Sequence, residues 1–164
     1  MAHPSAASTP PPPWRVVSTP YTGERHARGL AAGVPLARGA VVDVSPVLLF
    51  DADTYRAHLR HTALEHYVFV DRGGGGGGGV ALALGAGSLF NHSSRPNCDW
   101  RLDAGAATIT FTVSAADGVA AGEELTISYG RPWWEEGKQG EADAAGPTHH
   151  HMDDEDAFLG AIAL

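Results

Sequence analysis

Eleven consecutive residues, Ser88-Leu89-Phe90-Asn91-His92-Ser93-Ser94-Arg95-Pro96-Asn97-Cys98, put asparagine, histidine and serine side chains into a turn between two apolar segments. Buried without partners, such groups would be strongly unfavourable. They must therefore be hydrogen-bonded to something. One solution is a polar turn whose side chains cap their own backbone. The other is a site in which Asn91 and His92 grip a polar ligand.

Two further stretches could carry chemistry. In Ala121-Gly122-Glu123-Glu124-Leu125-Thr126-Ile127-Ser128-Tyr129-Gly130, a tyrosine closes a strand-like run and a glycine follows it. Its hydroxyl could stand in a cleft, or the ring could sit in the core with its hydroxyl at the surface. In Arg28-Gly29-Leu30-Ala31, followed by Gly33-Val34-Pro35-Leu36-Ala37-Arg38-Gly39, Gly29 would allow close approach of backbone to ligand, or be an ordinary turn glycine.

Other chemistries find little support. Cys98 is the single cysteine, so an internal disulfide framework and a cysteine-based zinc site are excluded. His58 and His61 are three apart, but a third ligand at sensible spacing is missing, so surface histidines and no metal are expected. The heptaglycine run Gly73 to Gly79 has no Gly-Lys-Ser/Thr after it and reads as a flexible loop rather than a phosphate cradle. Net charge is −8, with −2 in residues 1–130 and −6 in residues 131–164. A nearly neutral body with an acidic tail argues against direct nucleic-acid binding and suits a basic partner. The tail could equally be a solvated segment. No run approaches the ~20 apolar residues of a membrane span, and residues 1–13 lack a signal peptide's apolar core. The expected location is therefore intracellular, nuclear or cytoplasmic, with no basic cluster to direct nuclear import.

The elements that must hold these residues are mainly β. Residues 1–13 end in four prolines and predict an extended, disordered leader. Trp14 to Val17 predicts a strand, and residues 23–39 are rich in turn signals. Val41 to Phe50 predicts two short strands or a bulged edge, broken at Pro46. Asp51, Asp53 and Thr54 are N-cap candidates for a helix running to Val68, with Tyr55, Leu59, Ala63 and Tyr67 on one face. Val80–Leu84, Asp99–Leu102, Thr108–Val113 and Leu125–Tyr129 predict further strands, with Asp103 to Ala106 as a hairpin turn. Residues 135–164 predict an acidic, disordered tail, although its apolar end from Ala157 to Leu164 could fold back onto the body.

The three chemistry-bearing stretches, in this order, resemble the SET domain. The resemblance covers residues 14–134, with 51–84 as a variable insert containing the heptaglycine loop. It rests most firmly on Asn91-His92-Ser93 with Pro96-Asn97, and on Gly122-Glu123-Glu124-Leu125 ending in Tyr129-Gly130. It implies a fold of several small β-sheets whose C-terminal segment threads under a preceding loop as a pseudoknot. It implies methyl transfer from S-adenosylmethionine to the side-chain amine of lysine in a protein, histone or non-histone. In that family resemblance, Asn91 and the Asn91–His92 backbone would hold the cofactor. The backbone of Arg28, Gly29 and Leu30 would lie along its methionine part, and Tyr129 would stand where amine meets methyl group. Trp133 or Trp134 could stack on the adenine, or close the core.

Three departures accompany the resemblance. Ala27 stands where a glycine is frequent, Ser94 where many members have cysteine, and no cysteine cluster follows Tyr129. The last two agree, because a cysteine at 94 would be idle without the cluster. Trp100 falls near a position where family members often carry Tyr or Phe influencing how many methyls are added. The rival readings are a SET-fold module that binds a peptide or S-adenosylmethionine without turnover, and a small β-barrel ligand binder using histidines.

Overall fold

The computed structural model describes residues 11–19, 27–71 and 79–130. Two sheets carry the fold. The first contains β1 (Trp14–Ser18), β2 (Arg28–Ala32), β9 (Glu124–Ile127) and β6 (Asn91–His92), in that order. The second contains β4 (Val68–Val70), β5 (Val80–Ala83), β3 (Val41–Phe50), β8 (Thr108–Val113) and β7 (Cys98–Asp103).

The core lies on the inner side of both sheets. In β8, Ile109, Phe111 and Val113 are buried while Thr108, Thr110 and Thr112 are half-buried, the period-two alternation of a strand with one covered face. Leu125 and Ile127 of β9 and Leu30 of β2 are also fully buried. Phe90 stacks on Phe111 with ring centroids 4.1 Å apart, and Phe69 meets Phe111 and Trp100 edge-on at 5.9 and 5.0 Å. Offset and edge-to-face pairs of this kind contribute about 0.5–1.5 kcal/mol each beyond area burial.

Four sequence expectations need correction. First, Arg28–Ala32 lies within the stretch read as turn-rich, yet it is an inner strand paired with both β1 and β9. Its small side chains, Ala31 and Ala32, are buried. Second, Pro46 does not break β3. One ten-residue strand changes partner there: Val41 to Pro46 pair with β8 and Val47 to Phe50 with β5, with an irregularity between Val41 and Asp43. Third, Asn91-His92 is a short parallel strand beside β9, not a turn.

Fourth, the helix stops early. α1 spans Ala52–Ala57, capped by Asp51, whose carboxylate accepts the Thr54 N–H at 2.6 Å. Two 3-10 turns, Leu59–His61 and Ala63–Tyr67, follow. The Thr62 hydroxyl ends one and starts the next, donating to the Leu59 carbonyl at 2.8 Å and accepting the Leu64 N–H at 3.2 Å. Tyr55 and Leu59 are therefore buried against Val80, while Ala63 and Tyr67 are exposed. A third 3-10 turn, Gly85–Leu89, leads into β6. No helix among the described residues is long and apolar enough to cross a membrane.

Candidate active site

The β6–β9 pair builds the site. Asn91 lies beside Thr126 and His92 beside Ile127, in parallel register. β2 holds one side of β9, and on the other side Asn97 extends the hold of the two-residue strand β6. Asn97 Oδ1 accepts the Thr126 N–H at 2.9 Å and its Nδ2 donates to the Glu124 carbonyl at 2.8 Å. The amide thus takes the place of a neighbouring strand's peptide group. Glu123 braces it, accepting from Asn97 Nδ2 at 3.2 Å and from the Ala120 N–H at 3.0 Å.

Tyr129 follows β9 and is tied at two points to the Phe90–His92 segment. Its hydroxyl donates to the Phe90 carbonyl at 2.7 Å, and its backbone N–H donates to His92 Nδ1 at 3.1 Å. The two rings lie 5.4 Å apart. Tyr129 is nonetheless 39% exposed, so the anchored ring still faces outward. Gly130 takes a φ of +101°, a conformation that favours glycine. Nearby, the Trp100 indole N–H reaches the Ser128 carbonyl at 3.5 Å.

His92 is buried, and burial holds its imidazole below the usual histidine pKa, offset in part by a hydrogen bond to the Ile127 backbone. A ring that accepts at Nδ1 is served best by the neutral form. Cys98 is fully buried, and burial, with Asp99 and Glu123 nearby, pushes its thiol up to about 12. It is no nucleophile at neutral pH.

Asn91 is half-buried. Its Nδ2 donates to Glu124 Oε1 at 2.7 Å and lies 3.4 Å from the Arg28 carbonyl. Gly29 sits directly beneath: a Cβ there would come within 2.6 Å of Glu124 Oε1 and 2.7 Å of Asn91 Nδ2. On its β9 side the pairing of β2 ends at Leu30, so Arg28 and Gly29 form the strand edge that Asn91 approaches. Leu30 itself is fully buried and pairs with Val16 and Leu125. Of the candidates from the sequence, Arg28, Gly29, Asn91, His92 and Tyr129 are thus brought to one end of the first sheet. Leu30 lies under them as core, and Trp133 and Trp134 fall outside the described residues.

The sequence placed Asn97 and Glu124 within its two most specific motifs but gave them no role, and it did not single out the Phe90 carbonyl. A signal existed for Glu124. In an extended run, Glu124 shares a face with Thr126, the register partner of Asn91.

Comparison with known proteins bears on this arrangement. The SET domain family model matches residues 27–130. The chain belongs to the SET domain family. A Schizosaccharomyces pombe relative, a histone-lysine N-methyltransferase specific for H3 lysine-37, is 35% identical over 130 residues, covering 79% of this chain and 84% of the relative. The crystal structure of a candidate histone methyltransferase from Plasmodium falciparum shares the fold, with a TM-score of 0.54 at 18% identity over 74% of this chain and 96% of that one. This SET domain is accordingly mostly β with several sheets, as expected, and its reaction class is protein-lysine methylation.

Proposed function

We propose that the chain transfers a methyl group from S-adenosylmethionine to the side-chain amine of a lysine in a histone, with Tyr129 at the reacting centre. Asn91, His92, Arg28 and Gly29 hold the cofactor, with Leu30 as their support and Trp133 or Trp134 as the cover over its adenine. The observation that carries this reading is the double anchoring of an outward-facing Tyr129 on the Asn91–His92 segment.

The groups present fit the cofactor. Glu124, the Arg28 carbonyl and Asn91 form an acceptor-rich corner suited to an ammonium group. Arg28, whose carbonyl forms part of that corner, is exposed, and its guanidinium is of the type that suits a carboxylate. Bound there, S-adenosylmethionine supplies a methyl group on a positively charged sulfur.

The protein's own contribution is alignment and electrostatics. A free lysine, with a pKa of ~10.4, is mostly protonated at neutral pH. Apolar surroundings favour the neutral amine, and the Tyr129 ring, Trp100 and Phe69 offer such surroundings. The Tyr129 hydroxyl donates its hydrogen bond to the Phe90 carbonyl, which leaves its oxygen to accept. It therefore acts on the developing positive charge as an oriented dipole and an acceptor for amine N–H or methyl C–H groups, and not as an acid. The residues around Tyr129 would hold the lysine nitrogen with its lone pair directed at the methyl group that the cofactor would supply.

A histone substrate is supported by the relative's stated specificity and by the net charge of −8, which suits a basic partner. Nuclear residence follows from that substrate. The test is transfer of labelled methyl from S-adenosylmethionine to core histones and to an H3 peptide, with mass spectrometry to find the modified lysine. Cofactor binding without transfer to any lysine would favour the binding-module reading instead.

A further inference from the structure

The Asn91 amide is held in one orientation by groups outside the motif that carries it. Its nitrogen donates to the Glu124 carboxylate at 2.7 Å and approaches the Arg28 carbonyl at 3.4 Å. Both neighbours are acceptors, so the nitrogen must point at them and Oδ1 must point away. An asparagine without such neighbours could flip and present N–H groups instead. The contact exists only because residue 29 has no side chain, since a Cβ would fall within 2.6 Å of Glu124 Oε1 and 2.7 Å of Asn91 Nδ2. Gly29 does not have a positive φ, so its backbone conformation is open to other residues. Its smallness matters here for the space it leaves.

We propose that Glu124 is a positioning residue for the cofactor: seated in the space left by Gly29, it fixes the Asn91 amide so that Oδ1 is presented to the ammonium group of the methionine part. The proposal rests on the reading above, in which Asn91 holds S-adenosylmethionine. A charged partner makes this hydrogen bond stronger than a neutral one. Glu124 lies on the same sheet strand that leads to Tyr129, so the cofactor's amino-acid end and the reacting tyrosine are set from one element.

The experiment is calorimetric binding of S-adenosylmethionine and of methylthioadenosine, which lacks the amino-acid part, to the full chain and to Glu124→Ala, Glu124→Gln, Gly29→Ala and the double variant Gly29→Ala/Glu124→Ala. Melting temperatures show that each variant is folded. Glu124→Ala should weaken S-adenosylmethionine about tenfold, the scale of one charge-assisted hydrogen bond. Glu124→Gln keeps an acceptor for Asn91 and should recover most of that loss. Gly29→Ala displaces two flexible side-chain ends rather than backbone, so it should weaken binding similarly in a folded protein. Adding it to Glu124→Ala should cost little more, because both changes break one contact. Methylthioadenosine affinity should be unchanged throughout. Wild-type affinity for S-adenosylmethionine in Glu124→Ala, or an equal loss of methylthioadenosine, overturns the positioning role alone. Failure of the unsubstituted chain to bind S-adenosylmethionine overturns the underlying reading and the positioning role with it.

Discussion

At the scale of single residues, Tyr129 separates holding from chemistry. Its hydroxyl donates a hydrogen bond to the Phe90 carbonyl. Tyr129→Phe keeps the ring and the backbone bond to His92, so the stability change should stay within about 1–1.5 kcal/mol. The loss in the chemical step should be larger, on the order of a hundredfold in kcat, because the hydroxyl would act on charge that develops in the transition state. Cofactor affinity should be nearly unchanged. Single-turnover transfer, affinity and melting temperature on one preparation decide between these roles, and transfer at the wild-type rate would falsify the assignment.

His92 adds a pH dependence whose sign follows from its burial. Its folded pKa lies below the ordinary value of 6.5. Between those two values the unfolded chain binds more protons than the folded one. Stability is therefore full above about pH 6.5 and falls as pH drops toward the folded pKa. Protonation also removes the Nδ1 acceptor that holds the Tyr129 N–H, so activity should fall over the same range. His92→Gln, which cannot titrate, should flatten its share of the slope in denaturation midpoints measured from pH 7.5 to 5. An unchanged slope would show that other groups dominate it.

At the scale of elements, the sequence was legible where one face is covered and side chains alternate. Thr108–Val113 reads directly as a strand because Ile109, Phe111 and Val113 take every second position. It was illegible where packing overrides propensity. Arg28–Ala32 has glycine and alanines that favour no strand, and its pairing is imposed by β1 on one side and β9 on the other. The site divides similarly. Asn91, His92 and Tyr129 stood out as residue types in a recognisable order. The pairings between motifs did not, since Glu124 reaches Asn91 and Thr126 reaches Asn97 across 33 and 29 positions of chain. The Asn97 clamp has a consequence at this scale. Asn97→Ala leaves the Thr126 N–H without its partner and should cost about 1–3 kcal/mol. Amide exchange at Thr126 should quicken more than exchange within β8, which keeps β3 and β7 on either side. Uniform quickening across both sheets would mean that the clamp holds the whole fold rather than the site.

At the scale of the whole molecule, charge and site are separated along the chain. Residues 1–130 carry −2, and the −6 of residues 131–164 begins directly after the site tyrosine and its glycine. Those tail residues lie outside the described ones, as do residues 1–10 of the expected leader, so the expected acidic tail stands on sequence alone. An acidic stretch attached within a few residues of Tyr129 is expected to raise the local concentration of a Lys/Arg-rich peptide near the site. Such attraction is screened over about 8–10 Å at physiological ionic strength. It should therefore appear in KM and vanish with salt, while kcat, set by groups around Tyr129, stays constant. Truncation after Trp134 removes eight acidic residues and keeps both tryptophans. At low salt the truncated protein should show a higher KM for a basic peptide, and at high salt the two proteins should converge. An equal KM at low salt removes the steering role. A loss of kcat at every salt concentration would mean instead that residues 135–164 help to build the site.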